Sequence, residues 1–584
     1  MKNKSYIICL LIIIFQSCTG VLDKPPLDTI AGDVIWNDAN LTRAYVTNLY
    51  TRINFYGLDM SDQCEDDDEA TNPSGGSSNI TTGTVSATNE ARAYWDYTFI
   101  RDCTFFLQQM ATSTLASDVK NQMMGEVRFI RAFTYYEMMK RYGGIPLVDV
   151  VIDPYAPVSD QYTKRATEDA IATFIDTELT TAEGLLSDVA TPRGKINKWT
   201  AYALQARSDL WAASIAKYST VQLNGIVGIP AANAATYYAK AIVAANMVIN
   251  SGKYSLYNPQ PANKSENYRH IFVDKENSEI IFEKAYDGVN LTHNYDVRNA
   301  PTEFATRGAI LDPTLQFMLT YENADGSATP PIWGPSALYA NGWALWAKKD
   351  PRLLGTVMFQ GDAWSIGTIN SYDAIDPNPT PSYNVGATFP GVLISGGTLF
   401  YQGVLSVGKD SKYPISVDNT LTGFTTKKYI DGTKYKTGEN LCSTTWIAFR
   451  LAEMYLIVAE ANIETGNIAP AVAAVNVTRN RAGISLLDAS SITVDRVRSE
   501  RTHELAFEGH RYWDLRRWRI AQTVMSGVQM QGLHIILHFA SQQYYFAPFN
   551  AETFIRNYTP QMNYNPITAT RIANNPKLVE NPLY

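Results

Sequence analysis

The chain has 584 residues, a net charge of −8 and 45% hydrophobic side chains. That length exceeds one ordinary core and suits several packed layers. The acidic balance argues against nucleic-acid or polybasic membrane binding.

Lys2 and Lys4 precede the apolar run "YIICLLIIIF" and then "QSC", the pattern of a secretory signal. This run is too short to cross a hydrocarbon core of roughly 30 Å as a helix. The Ser17–Cys18 step predicts a lipoprotein signal over residues 1–17, with Cys18 acylated as the first mature residue. Several acyl chains on one cysteine give stable anchoring to a membrane. Of five cysteines, Cys64, Cys103 and Cys442 then remain, without CxxC spacing. No disulfide framework and no structural zinc site follow from them. A Cys64–Cys103 pair is conceivable in an oxidising compartment, and isolated semi-buried thiols are the expected state.

The segment over 56–89 reads as a loop containing "DQCEDDDEATNPSGGSSNITTG". Asp66 and Asp68 are the best positions for a hard cation such as calcium, which takes clustered oxygens. Adjacent acids cannot all face one ion, however, and the EF-hand spacing is absent. A solvated acidic loop without metal is expected.

Helical periodicity dominates about 37–252 and about 445–526. "GEVRFIRAFTYYEMMKRYGGIP" predicts a helix stopped by Gly143-Gly144 and Pro146. "NKWTAYALQARSDLWAASIAKY" and "AATYYAKAIVAANMVINSGKYSLY" predict two more in succession. Between the blocks, about 259–440 is rich in Gly, Pro, Asn, Ser and aromatics, with one alternating strand in "SEIIFEKAYD". Long irregular segments held by a helical scaffold are commonly binding loops.

The chain holds 35 tyrosines and 11 tryptophans, which join a flat apolar face to a polar handle. An excess of them in irregular segments suits stacking on sugar rings. Trp333, in the Gly/Pro-flanked "PPIWGPS", is the first ligand-contacting candidate. Trp95, Tyr295, Tyr339 and Trp364 are the others, whereas Trp343 and Trp346 are expected to pack a short helix.

"FRLAEMYLIVAEANIETGNIAPAVAAVNVTRNRAGI" reads as two helices around a tight "TGN" turn. Alanines on both arms permit close approach, similar to a tetratricopeptide unit. "RVRSERTHELAFEGHRYWDLRRW" follows. Its HELAFEGH looks like HExxH until the spacing is counted: His503 and His510 stand seven apart, not one turn apart as zinc proteases need. Arg501, Glu504, Glu508 and Arg511 recur at 3, 4, 3 spacing, one helix face, and predict a structural ion-pair network rather than a catalytic centre. His534 and His538 in "LHIILHF" fall on an expected alternating or buried segment without an acid partner nearby in sequence.

These stretches coincide with one family. "VLDKPP", "IRDCTFFLQQ", "RFIRAFTYYEMMKRYGGIPLV", "KDPRL", "RLAEMYLIVAEANIETGN" and "ERTHELAFEGHRYWDLRRW" appear in order, and the chain ends "NNPKLVENPLY". The sequence resembles the RagB/SusD family of outer-membrane nutrient-binding lipoproteins. It departs from the family pattern at Thr104, where Asn is usual, and at Leu583, where Gly is usual.

The resemblance implies a mainly α fold: a tetratricopeptide-like helical-hairpin scaffold with a large irregular loop-rich region and a few short strands, spanning 18–584 as one domain. It implies an outer-membrane, cell-surface lipoprotein that binds a glycan and delivers it to a SusC-like TonB-dependent transporter, with no catalysis and no cofactor. The ligand residues of such proteins lie outside the shared motifs, so none is carried over. A peptide or other nutrient is the alternative cargo. A secreted glycoside hydrolase would need two carboxylates about 5–10 Å apart across a cleft, and no such pair stands out.

Overall fold

The structure, a computed structural model, describes residues 32–584 apart from 56, 59–60, 73–74, 154, 156, 305–307, 329, 365–366, 383–399, 406, 413–418 and 433–440. The signal sequence and Cys18 lie outside the described residues.

The principal helices are α1 (Ala39–Thr51), α2 (Tyr97–Thr112), α3 (Ser117–Tyr142), α4 (Glu168–Leu185), α5 (Lys198–Tyr218), α6 (Ala234–Ile249), α7 (Leu451–Glu464), α8 (Ile468–Ala482), α9 (Val494–Glu504) and α10 (Arg511–Arg517). Their ends follow local chemistry. Asn197 caps α5 by accepting from the backbone N–H of Trp199 and Thr200, which satisfies donors that have no partner inside the helix. At the end of α3, Gly143 takes a positive φ of 74°. A Cβ on the next residue, Gly144, would lie 2.0 Å from the carbonyl oxygen of Ala166, so only glycine fits there.

Successive helices pack as neighbours: α2 on α3, α3 on α4, α4 on α5, α5 on α6, and α7 on α8. α6 also packs on α7, so the stack continues across some 200 residues of intervening sequence. This is the expected tetratricopeptide-like scaffold. Its interior is the largest core, in which Ala201, Ala203, Ala206, Ala213 and Ala459 permit close helix approach. Among the described residues no helix is long and apolar enough to cross a membrane.

The intervening region is fastened where it leaves and re-enters the stack. Strand β1 (Ile280–Lys284) pairs antiparallel with β3 (Trp446–Arg450), so the predicted strand has its partner at the far end of the insertion. Beyond the helices, β4 (Gln531–His538) and β5 (Gln543–Asn550) form a hairpin, and β2 (Ala374–Asp376) joins β4 in parallel. "LHIILHF" is therefore a strand. A second core, with Phe317, Trp346, Phe424, Phe507 and Phe546, lies under this hairpin. A third gathers Tyr268, Tyr295, Trp364 and Tyr429.

Candidate ligand-binding site

The charged stretch of α9 and α10 faces inward. The helix does not run through it: α9 ends at Glu504, Phe507 adopts φ 59° and Gly509 φ 75°, and α10 starts at Arg511. Arg501, Glu504, Glu508 and Arg511 therefore do not share one helix face, which corrects the 3, 4, 3 reading: Arg501 pairs with Asp514, Arg511 with Asp68, and the two glutamates with cations from other elements.

Glu504 accepts from Arg450 at 2.6 Å, from Arg352 at 2.9 Å, and from Arg481. Glu508 takes two hydrogen bonds from Arg450, at 2.7 and 2.8 Å, and one from Lys428 at 2.8 Å. Arg352 also meets Glu500 and Asp350, Arg479 meets Glu500, and Arg481 meets Glu279. Five cations (Arg352, Lys428, Arg450, Arg479, Arg481) thus interlock with five acids (Glu279, Asp350, Glu500, Glu504, Glu508). All are buried.

Burial alone would raise the Glu504 carboxyl, but Arg481, Arg450 and Arg352 together hold it well below the ordinary carboxylate range. Buried charges persist only when paired and hydrogen-bonded. Arg352 and Lys428 come from the loop-rich region, so the network bolts that region to the helical stack. His503 sits in the same interior, stacked on Tyr321 at 4.0 Å and bonded to Thr320. Burial, then Arg352, pushes its pKa down to about 3, which leaves the ring neutral.

The acidic run is also interior, contrary to the expectation of a solvated loop. Asp66 pairs with Arg92, Asp68 with Arg511 through 2.7 and 2.8 Å bonds, and Glu69 accepts from the backbone N–H of Phe507 at 3.0 Å. Asp66 and Asp68 point at different arginines, Arg92 and Arg511. No cluster of three metal-ligating side chains occurs among the described residues. His534 meets Asp373, and His538 meets Ser541 and the Asn378 carbonyl. Cys64, Cys103 and Cys442 are buried, and Cys64 and Cys103 are free, with Cys64 in the second core and Cys103 in the first, so the conceivable Cys64–Cys103 disulfide is absent.

The aromatic candidates separate. Tyr295 and Trp364 lie in the third core, 5% and 6% exposed, with the Arg269 guanidinium 5.0 Å over the Trp364 ring. Neither offers a face to a ligand; an irregular segment here builds its own core. Trp95 is half-buried at a cleft of about 480 Å³ lined by Tyr97, Val148, Val150, Tyr162 and Leu578. The Arg571 guanidinium covers its ring at 4.7 Å and Tyr142 meets it edge-on.

Trp333 and Tyr339 are brought together, by β5. Gly334 donates to the Phe546 carbonyl at 2.7 Å, and Tyr339 and Tyr544 exchange backbone hydrogen bonds of 2.7 and 2.8 Å. Residues 334–339 thus lie against the strand. Because side chains alternate along a strand, Phe546 points into the second core with Tyr544 two residues before it on the same face. Trp333, Tyr339 and Tyr544 stand half-exposed at the margin of that core, with the Tyr339 ring 5.3 Å from Phe546.

Trp343 is 40% exposed next to them in sequence, while Trp346 is buried. Residues 342–348 form turns, not the short helix expected for that pair. Polar groups accompany the rings. Gln360 donates to the Tyr544 hydroxyl at 3.4 Å. The buried amide oxygen of Asn341 accepts no hydrogen bond among the described residues. The result is a shelf of aromatic edges and faces interleaved with amides. Sequence reasoning missed Tyr544, although its place in the alternating "QYYFAPF" is the signal that marks it.

Comparison with known proteins agrees with this architecture. The family model described as the SusD family matches residues 278–584, and one described as starch-binding associating with outer membrane matches 22–210. No curated protein sequence matches the chain. Among solved structures, a SusD-like protein from Bacteroides fragilis is 26% identical, covers 96% of this chain and 100% of its own, and superposes with a TM-score of 0.72. A SusD-like carbohydrate-binding protein from the same species is 20% identical over 94% and 100%, TM-score 0.67. A laminarin-binding SusD-like protein is 17% identical over 94% and 100%, TM-score 0.61. By sequence and by architecture, the chain belongs to the SusD family.

Proposed function

We propose that the protein is a cell-surface lipoprotein, anchored through Cys18 in the outer membrane, that binds a glycan and passes it to a SusC-like TonB-dependent transporter. The observation that carries the reading is the half-exposed group of Trp333, Tyr339 and Tyr544 gathered against β5, with the exposed Trp343 following in sequence. Sugar rings present apolar C–H faces and a rim of hydroxyls. Aromatic faces take the first, and polar groups bordering them, such as the Tyr339 and Tyr544 hydroxyls, take the second. Relatives whose names describe carbohydrate, laminarin and glycan binding support the same cargo class.

Binding without bond cleavage is favoured by the state of the acids. The carboxylates of the α9–α10 region are held by arginine or lysine, whereas hydrolysis needs one carboxyl free to donate a proton and a second free to attack.

Isothermal titration against a panel of neutral and acidic glycans, with peptides included, tests this. One glycan class is expected to bind, with Trp333→Ala weakening it about tenfold, equivalent to roughly 1.4 kcal/mol. Peptide binding without glycan binding, or release of reducing sugar by the purified protein, would replace the reading.

A further inference from the structure

A chamber of about 80 Å³ lies among α3, α5 and the turn between α9 and α10. Its walls include Lys140, Arg207, Trp211, Arg501, His510 and Trp513. Two hydrogen-bond donors on this wall, Arg501 Nη1 and Trp211 Nε1, have no acceptor among the described residues. Both side chains are almost wholly buried: Arg501 is 2% exposed and Trp211 2%. A buried donor left without a partner costs about 1–3 kcal/mol, and a guanidinium more, so each such group in a native interior calls for an explanation.

The carboxylates on the same wall are committed elsewhere. Glu137 is held by Lys140 and Arg141, Glu508 by Arg450 and Lys428, and Asp514 by Arg501 and Arg517. Glu453, 3.5 Å from Arg501 Nη2, is held by Arg207, so Arg501 Nη1 and Trp211 Nε1 keep no acceptor among the described residues. Lys140 adds to the demand: its Nζ meets the Glu137 carboxylate at 2.6 Å and otherwise faces the rings of Trp513 and Tyr136, at 4.4 and 4.8 Å.

The electrostatic field points the same way. His510 is held neutral, well below the usual histidine range, first by burial and then by Arg207, Arg501, Arg450 and Lys140. Four cationic side chains, Lys140, Arg207, Arg501 and Arg517, line the chamber against three carboxylates, Glu137, Glu508 and Asp514, which makes the potential of the lining positive. A water could accept from both donors, but only an anion gains from that potential. The volume admits an ion of chloride or formate size.

We propose that the chamber binds a small monoanion, received by Arg501 Nη1 and Trp211 Nε1 with the Lys140 ammonium alongside. Such an ion ties α3 and α5 to the α9–α10 turn. It would act as a structural ligand that stabilises the folded state in proportion to its concentration.

The test uses the mature protein and simple salts. Unfolding temperature is followed as chloride replaces gluconate at fixed ionic strength, then with formate. Wild type is expected to gain stability saturably with chloride and with formate, relative to gluconate. Trp211→Phe, which removes the donor and keeps most of the ring, should need about tenfold more chloride for the same gain. Bromide-soaked crystals of the wild type should show an anomalous peak beside Arg501 and Trp211. Equal stability in chloride and gluconate, or a chamber holding only water in the bromide data, would overturn the proposal whether or not the variant folds.

Discussion

Arg511 holds Asp68 through two hydrogen bonds, 2.7 and 2.8 Å, between positions 443 residues apart. Through this pair the start of α10 is fixed to the acidic loop near the amino end of the described chain. Burial would raise the Asp68 carboxyl, but Arg511 holds it below its ordinary range. Removing one partner leaves a buried charge alone. Asp68→Asn is expected to lower unfolding free energy by roughly 3–5 kcal/mol. The double replacement Asp68→Asn with Arg511→Met should lose less than the sum of the two singles, because their energies couple. Urea unfolding of the four proteins measures both.

The network around Glu504 and Glu508 sets the acid limit of stability. Both carboxyls are depressed in the folded state, where burial is outweighed by Arg481, Arg450 and Arg352 for Glu504 and by Arg450 and Lys428 for Glu508. A depressed carboxyl binds its proton less readily when folded than when unfolded. Its contribution is therefore complete above the unfolded value of about 4.3 and is lost as pH falls below it. Unfolding temperature should drop steeply below about pH 4, and Glu508→Gln should flatten that drop while lowering stability at pH 7. Equal slopes for wild type and variant would contradict this role.

Gly342 keeps the aromatic shelf in place. A Cβ there would fall 2.2 Å from the Gln360 Cβ and 2.5 Å from its carbonyl oxygen, and backbone cannot swing aside as a side-chain tip does. Gly342→Ala should displace the turn carrying Trp343 and weaken glycan binding several-fold, with at least 1 kcal/mol lost from stability, about the size of a core overpacking. Calorimetry and titration on one preparation separate the two effects.

The three thiols after Cys18 should be silent in the native protein. All are buried, and burial raises the Cys64 and Cys103 thiols far above their ordinary range, so little of the reactive thiolate forms. In a form starting at Thr19, Cys64 and Cys103 should react with a thiol reagent only after denaturation, and without prior reduction. Rapid labelling of the folded protein would contradict the burial.

Much of the scaffold was legible in the sequence because its signals are local. Asn197 and Gly143 mark helix ends that the structure keeps, and Ile280–Lys284 alternates as a strand should. What failed depended on distant chain. The acids at 65–69 read as solvated because their partners, Arg511 and the Phe507 amide among them, arrive from the other end of the molecule. The 3, 4, 3 spacing of Arg501, Glu504, Glu508 and Arg511 imitates one helix, yet Phe507 and Gly509 break it at positive φ. Tyr295 and Trp364 were expected at the surface of a loop region that has a core of its own. Trp333 and Tyr339 were placed by residue type and flanking Gly and Pro; their shared support on β5 is visible only in three dimensions.

If buried charge maintains the fold and exposed rings carry recognition, one paired titration separates the two roles. For a glycan that the wild type binds, Trp333→Ala and Glu508→Gln are compared for affinity and for unfolding temperature. Trp333→Ala should lose about tenfold in affinity with little change in unfolding temperature, and Glu508→Gln should unfold at lower temperature with affinity retained below its transition. The opposite pattern, affinity lost with Glu508 and indifferent to Trp333, would place recognition among the charges and contradict that division of roles.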